Sequence, residues 1–69
     1  MNHKAFMDIV TPFKDKLFRM AKRLLASTEE AEDATQEVLV KLWYKKDLIV
    51  GYNNVEAIAM TMIKNYCLD

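Results

Sequence analysis

Residues 13–25 hold apolar side chains at three- and four-residue steps, among them Phe13, Leu17 and Leu24. The basic residues of this stretch fall on the opposite side; they are Lys16, Arg19, Lys22 and Arg23. Such spacing is typical of an amphipathic α-helix. The 69-residue chain contains one glycine and one proline, which favours helices with short connections over a sheet. We therefore predict an all-α fold, a compact single domain of three to four helices.

Local signals predict where the first helices begin. A short helix is expected over residues 4–10, and the pair Thr11-Pro12 is interpreted as the start of a second helix. Threonine is a good N-cap, and proline is common at the first helical position. Further along, Ser27 and Glu30 have the spacing of a capping box, which predicts a third helix from there to about residue 46.

The last third of the chain predicts a loop followed by a helix. Residues 47–54 contain the only glycine and are interpreted as a loop. Either Asn53, in a capping box, or Asn54 directly would cap a fourth helix that runs from residue 55 to the end. The side chains expected on its buried side are Val55, Ile58, Ala59, Met62 and Tyr66.

Charge is segregated along the chain, although the formal net charge is zero. Residues 1–28 carry six basic and two acidic side chains, residues 29–37 carry five acidic ones, and the remainder has a net charge of +1. This arrangement suggests separate surfaces for separate partners. The single Cys67 and single His3 exclude a disulfide framework and a multi-ligand metal site, so a cytoplasmic protein without a cofactor is expected. No apolar run is long enough for membrane insertion, and no signal-peptide pattern is present.

The predicted third helix has two contrasting faces. Its core side would be formed by Ala34, Thr35, Val38 and Leu42. At about 100° per residue the opposite side is a single strip, formed by Asp33, Gln36, Glu37 and Val40. Leu39 and Trp43 flank the strip. Acidic, amide and apolar groups in one strip are typical of a docking surface. The alternative is an acid-rich helix start with one exposed valine, and the pattern alone leaves both open.

Three sequence blocks resemble one known family. The string AEDATQEVLVKLW at residues 31–43 resembles region 2 of bacterial sigma factors, especially the extracytoplasmic-function group, in which Glu-Asp-x-x-Gln-Glu precedes an apolar residue. RMAKRLLASTEE before it and VEAIAMTMIKNYCLD after it resemble the flanking parts of the same region, in the same order. The resemblance extends over residues 6–69. It implies a compact helical domain.

The resemblance also implies the partners of this domain. Region 2 binds the clamp helices of the RNA polymerase β′ subunit, and the matching residues here are Asp33, Gln36, Glu37, Leu39, Val40 and Trp43. Region 2 also recognises and melts the minus-ten promoter element and captures an unstacked base of the single-stranded non-template strand. The matching DNA-binding residues would be Tyr52, Asn53, Asn54, Thr61, Lys64 and Asn65. Lys45 and Lys46 are further candidates for phosphate contacts. An anti-sigma factor is an expected additional partner.

The chain departs from the family pattern in its fourth helix and in its length. The family often has tryptophan where this chain has Ile58, and a basic residue near Thr61, and both positions belong to the DNA-binding side of the domain. The family usually continues with a linker and a helix-turn-helix domain, so the resemblance implies a fragment. Catalysis is not expected, since the sequence shows no nucleophile–base pair or phosphate-binding glycine loop. The alternative function is a helical protein-interaction adaptor that does not bind DNA.

Overall fold

The structure is a computed structural model that describes residues 2–49, 51 and 53–68. Within these residues the chain forms four helices: α1 (His3–Leu25), α2 (Thr28–Tyr44), α3 (Lys46–Ile49) and α4 (Val55–Leu68). The three longer helices pack pairwise, α1 against both α2 and α4, and α2 against α4. The predicted all-α fold is confirmed.

Helix α1 runs without interruption through Pro12, so the predicted helix start at this residue is wrong and the two predicted helices are one. Pro12 has no N–H to donate to the carbonyl four residues earlier, and its ring crowds that carbonyl. The helix continues because the apolar stripe continues, with Val10 and Phe13 both buried. Its N-cap is Asn2, whose side chain accepts a hydrogen bond from the backbone N–H of Ala5 at 2.8 Å.

The junction between α1 and α2 lies where the Ser27–Glu30 capping box predicts a helix start. Ala26 has a left-handed backbone conformation, with φ 57°, and its N–H donates to the carbonyl of Lys22 at 2.8 Å. Ser27 then caps α2, since its Oγ accepts the backbone N–H of Glu30 at 3.3 Å. The predicted N-cap at Ser27 is confirmed, and α1 ends just before it.

The segment predicted as a loop is partly helical. Helix α3 is a single turn in which the N–H groups of Leu48 and Ile49 both donate to the carbonyl of Lys45, at 2.9 and 3.2 Å. The side chain of Ile49 is buried in the core, which holds this turn against the domain. The interpretation of residues 47–54 as a continuous loop is therefore wrong at its N-terminal end.

Helix α4 begins as predicted and is rotated from its predicted orientation. Asn54, the second of the two candidate caps, accepts the backbone N–H of Ala57 at 2.9 Å. The fully buried residues are Ala59 and Ile63, and Ile63 was absent from the predicted set. Tyr66 is 39% exposed, so its prediction as a core residue is wrong. Because α4 packs against both α1 and α2, the positions of those helices decide which of its side chains are buried.

All three longer helices contribute to one hydrophobic core. Its largest fully buried side chains are Leu17, Leu42, Ile63, Val10 and Val38. The predicted core side of α2 is confirmed and also includes Ala31. Thr35 is the polar member, and its hydroxyl donates to the carbonyl of Ala31 at 2.8 Å, so burial leaves that hydroxyl paired. None of the helices among the described residues combines the length and apolar character needed to span a bilayer.

Candidate functional site

The outer face of α2 forms the first part of the site. Asp33, Gln36 and Glu37 are exposed, as is Val40, whose exposed fraction is 47%. Together with Tyr66 of α4 they line one shallow hollow of about 340 Å³. We call the four α2 residues the α2 strip. The sequence predicted that these side chains share one surface, and the structure places them there; their binding role stays a prediction.

The opposite face of α2 explains why the strip points outward. Ala31, Ala34, Val38 and Leu42 are all buried, so the rotation of the helix about its axis is fixed by the core. Acidic residues near the start of a helix are also favoured by its dipole, and Glu29 and Glu30 lie in the first turn of α2. The core therefore holds the acidic and amide groups of the strip on the side of α2 that faces solvent.

The flanking residues Leu39 and Trp43 form an apolar continuation of the strip. Both are half-buried, and with Val40 they line a second hollow, of about 260 Å³, beside α1. Phe6 packs against the Trp43 ring nearly edge-on, with ring centroids 5.1 Å apart. The Nζ of Lys46 lies 4.3 Å from the centroid of the same ring, within the range of a cation–π contact. Trp43 therefore contacts Phe6 of α1 and Lys46 of α3.

The predicted DNA-binding residues separate into two groups. Thr61, Lys64 and Asn65 are exposed and, at three- and four-residue steps, share the outer face of α4. The Thr61 hydroxyl donates to the carbonyl of Ala57 at 3.1 Å, which leaves its oxygen able to accept. These residues lie together as expected; what they bind stays a prediction.

The second group belongs to the loop before α4. Asn53 and Asn54 are exposed and border a hollow of about 380 Å³, to which Ile49 and Phe13 contribute apolar groups. Asn54 already uses its Oδ1 as the α4 cap, so its side-chain amide nitrogen is the group that can donate to a ligand. Tyr52, the remaining member of the predicted set, lies outside the described residues.

Comparison with known proteins identifies the family. Residues 9–69 match the family described as Sigma-70 region 2. The chain belongs to this family. The ECF RNA polymerase sigma factor SigW of Bacillus subtilis (strain 168) is 40% identical over 43 residues, which is 62% of this chain and 23% of that protein. No solved structure matches the chain. The resemblance to region 2 of an extracytoplasmic-function sigma factor is confirmed, and the aligned part spans less than a quarter of this relative.

The basic residues of this sigma-70 region 2 chain differ in their surroundings. Lys16 forms an ion pair with Glu56 at 2.6 Å that joins α1 to α4, and both side chains are about half exposed. Arg19, Lys22 and Arg23 are exposed on α1, as predicted from their positions opposite its apolar side chains. Since Lys46 lies on the Trp43 ring, it belongs to the surface that continues the α2 strip. An exposed ion pair such as Lys16–Glu56 contributes at most about 1 kcal/mol.

Sequence reasoning missed one residue of this region, Tyr66. Its ring closes the hollow of the α2 strip from the side of α4, and the Nζ of Lys41 lies 5.3 Å from the ring centroid. The spacing within α4 is compatible with a buried stripe through either Tyr66 or Ile63, so no signal in the helix itself identifies Tyr66. Only the placement of α2 beside α4 does.

Cys67 and the acidic residues carry no further chemistry in the region. Burial raises the pKa of the half-buried Cys67 thiol, which disfavours the reactive thiolate at neutral pH. Across the part of the chain that the structure describes, no three His, Cys, Asp or Glu side chains are grouped so that they could hold a metal ion.

Proposed function

We propose that this chain is the promoter-recognition and promoter-melting domain of an alternative sigma factor, and that the α2 strip binds the clamp helices of the RNA polymerase β′ subunit. One observation carries the proposal. In a chain that belongs to the sigma-70 region 2 family, Asp33, Gln36 and Glu37 are exposed together and line one hollow on a helix whose other face is fixed in the core.

The chemistry of the strip suits a partner helix with arginine side chains. The carboxylates of Asp33 and Glu37 are four residues apart, about one helical turn, and each can accept two parallel N–H groups from a guanidinium. The amide of Gln36 can donate and accept between them. Val40, with the hollow beside Trp43, supplies apolar contact at the end of the strip. An anti-sigma factor that covered this surface would block polymerase binding.

The decisive variant is Glu37→Lys, tested for binding to a purified β′ clamp-helix fragment. Reversal of the charge replaces an attractive contact with a repulsive one, and we expect the affinity to fall by at least about thirtyfold. Glu29→Lys is the matched control, because Glu29 is an exposed acid on the same helix that does not line the hollow. The control should bind within about threefold of the unmodified chain. Normal binding by Glu37→Lys would refute the polymerase-binding role of the strip.

We further propose that two surfaces contact the non-template strand of the minus-ten element. They are the outer face of α4 and the hollow bordered by Asn53 and Asn54, which we call the loop hollow. Asn65 has one acceptor and two donors, so it can read the edge of an unpaired base. Lys64, one residue earlier, is placed to contact phosphate, an interaction without sequence preference. The hollow bordered by Asn53 and Asn54 combines polar rims with apolar walls, which suits an unstacked base.

Two variants separate base reading from phosphate contact on single-stranded oligonucleotides. Asn65→Ala should reduce the preference for a minus-ten sequence over a scrambled one by about five- to hundredfold. Lys64→Gln should weaken binding to both oligonucleotides equally. It should also reduce the magnitude of the slope of log affinity against log salt concentration by about one. Fluorescence anisotropy at several salt concentrations measures both effects. An unchanged preference in Asn65→Ala would refute base reading, and the absence of any binding at low salt would favour the helical adaptor.

A further inference from the structure

We propose that Tyr66 extends the polymerase-binding surface from α2 onto α4, and that its ring receives the guanidinium of an arginine from the partner helix. The inference rests on the proposed function of the α2 strip and adds a residue on a different helix to it. Tyr66 lines the same hollow as Asp33, Gln36 and Glu37.

Tyr66 is partly exposed at the surface of α4. The residue lies on the helix that contributes Ala59 and Ile63 to the core, yet 39% of its surface is accessible. A tyrosine combines a large apolar ring with a polar tip, and such side chains are common anchors in protein interfaces. Its ring therefore offers contact area at the edge of a hollow whose other lining residues are those of the α2 strip.

A cation already lies near this ring. The Nζ of Lys41 is 5.3 Å from the Tyr66 centroid, within the distance at which the negative face of an aromatic ring attracts a positive charge. Lys41 itself does not line the hollow. The ring therefore already makes one cation–π contact within the chain, and the hollow beside it, with its two carboxylates, is left open to a cationic group from a partner.

The shape of the hollow favours arginine over lysine as that group. Carboxylates lie on its α2 side and an aromatic ring on its α4 side. A planar guanidinium can donate N–H groups to a carboxylate edge-on and stack its face on a ring at the same time, whereas an ammonium cannot stack. The partner side chain is therefore an arginine that contacts both helices, and it couples the polymerase-facing α2 strip to α4.

The test compares Tyr66→Leu and Tyr66→Phe for binding to the β′ clamp-helix fragment. Loss of the ring should weaken binding by about three- to thirtyfold, whereas phenylalanine keeps the ring face and should bind within about threefold of the unmodified chain. Leu68→Ala is the surface control, because Leu68 is on the same helix, is 71% exposed and does not line the hollow. If the leucine variant does not fold, as judged by circular dichroism, Tyr66→Gln provides the same comparison.

A double-mutant cycle identifies the partner side chain. Each arginine of the fragment is replaced in turn by glutamine, and the affinity of each replaced fragment is measured for both the unmodified chain and Tyr66→Leu. One replacement should reduce the affinity for the unmodified chain at least threefold more than it reduces the affinity for Tyr66→Leu. If every arginine replacement costs the same affinity with and without the Tyr66 ring, while Glu37→Lys still abolishes binding, this inference is overturned. The proposed function would then remain intact. Normal binding by Glu37→Lys would instead refute the proposed function itself, and the inference with it.

Discussion

Asn54 has a structural role within a surface predicted to bind DNA. Its Oδ1 accepts the N–H of Ala57, which satisfies one of the unpaired donors at the start of α4. The same side chain borders the loop hollow beside Asn53. A substitution at this position would therefore change the stability of the domain as well as any contact with a base, and the two effects must be measured separately.

We predict that Asn54→Ala lowers the free energy of unfolding by about 1 kcal/mol, the usual cost of losing an N-cap. Asn54→Asp should retain most of the stability, because aspartate caps equally well. Asn53→Ala is the matched control: Asn53 is exposed, and the cap hydrogen bond comes from its neighbour. Urea denaturation followed by circular dichroism measures all three. An equal loss in Asn53→Ala would show that the cap is not the cause.

At the scale of the element, α1 shows how tertiary packing overrides a local signal. Pro12 lies in the tenth position of a 23-residue helix, far from the first turn in which proline is tolerated. The helix persists because its apolar stripe, from Phe6 through Val10 and Phe13 to Leu17, packs continuously against α2 and α4. Burial of four such side chains outweighs one missing hydrogen bond and the crowding by the ring.

Accordingly, Pro12→Ala should stabilise the domain. Alanine restores the backbone N–H and removes the ring, and we expect the free energy of unfolding to rise by about 1–3 kcal/mol after the greater freedom of the unfolded chain is included. Thr11→Ala, at the exposed neighbouring position, should change it by only about 0.5 kcal/mol. Thermal and urea unfolding measure both variants. A destabilised Pro12→Ala would mean that the proline ring itself contributes packing.

At the scale of the whole molecule, the three longer helices share one core, so each depends on the others to bury its apolar side. A chain of this size buries a modest fraction of its surface, so its total stability is limited to a few kcal/mol. Leu17 is fully buried in that core, together with Val38 of α2 and Ile63 of α4. Damage to this region should therefore affect both proposed binding surfaces at once.

Leu17→Ala tests this dependence. Removal of a buried leucine costs about 2–5 kcal/mol, which is a large part of the stability of such a small domain. We expect the variant to unfold substantially at 37 °C and to lose clamp-helix and oligonucleotide binding together. Leu48→Ala is the control, since Leu48 is 71% exposed on α3 and its truncation should change stability by no more than about 0.5 kcal/mol. A folded Leu17→Ala chain with normal binding would contradict the shared core.

The parts of the candidate site that depend on residue spacing within a single helix were predictable from the sequence. The α2 strip follows from residue spacing alone, because the core face and the outer face of α2 are fixed by the same periodicity. Ser27 was predictable as a cap, and Asn54 as one of two candidate caps, because a cap depends on residues within one turn. Tyr66 was not, because α4 contacts two helices and several rotations about its axis would bury apolar residues.

By itself, the sequence determined the helical class, the break at Ala26, the cap at Ser27 and the outward strip of α2, because each depends on interactions between residues at most one or two turns apart. The tertiary structure alone decided that α1 continues through Pro12 and that Tyr66 closes the hollow beside Asp33 and Glu37. Both outcomes depend on side chains distant in sequence that compete for the same buried space, and only the packed helices settle which of them are buried.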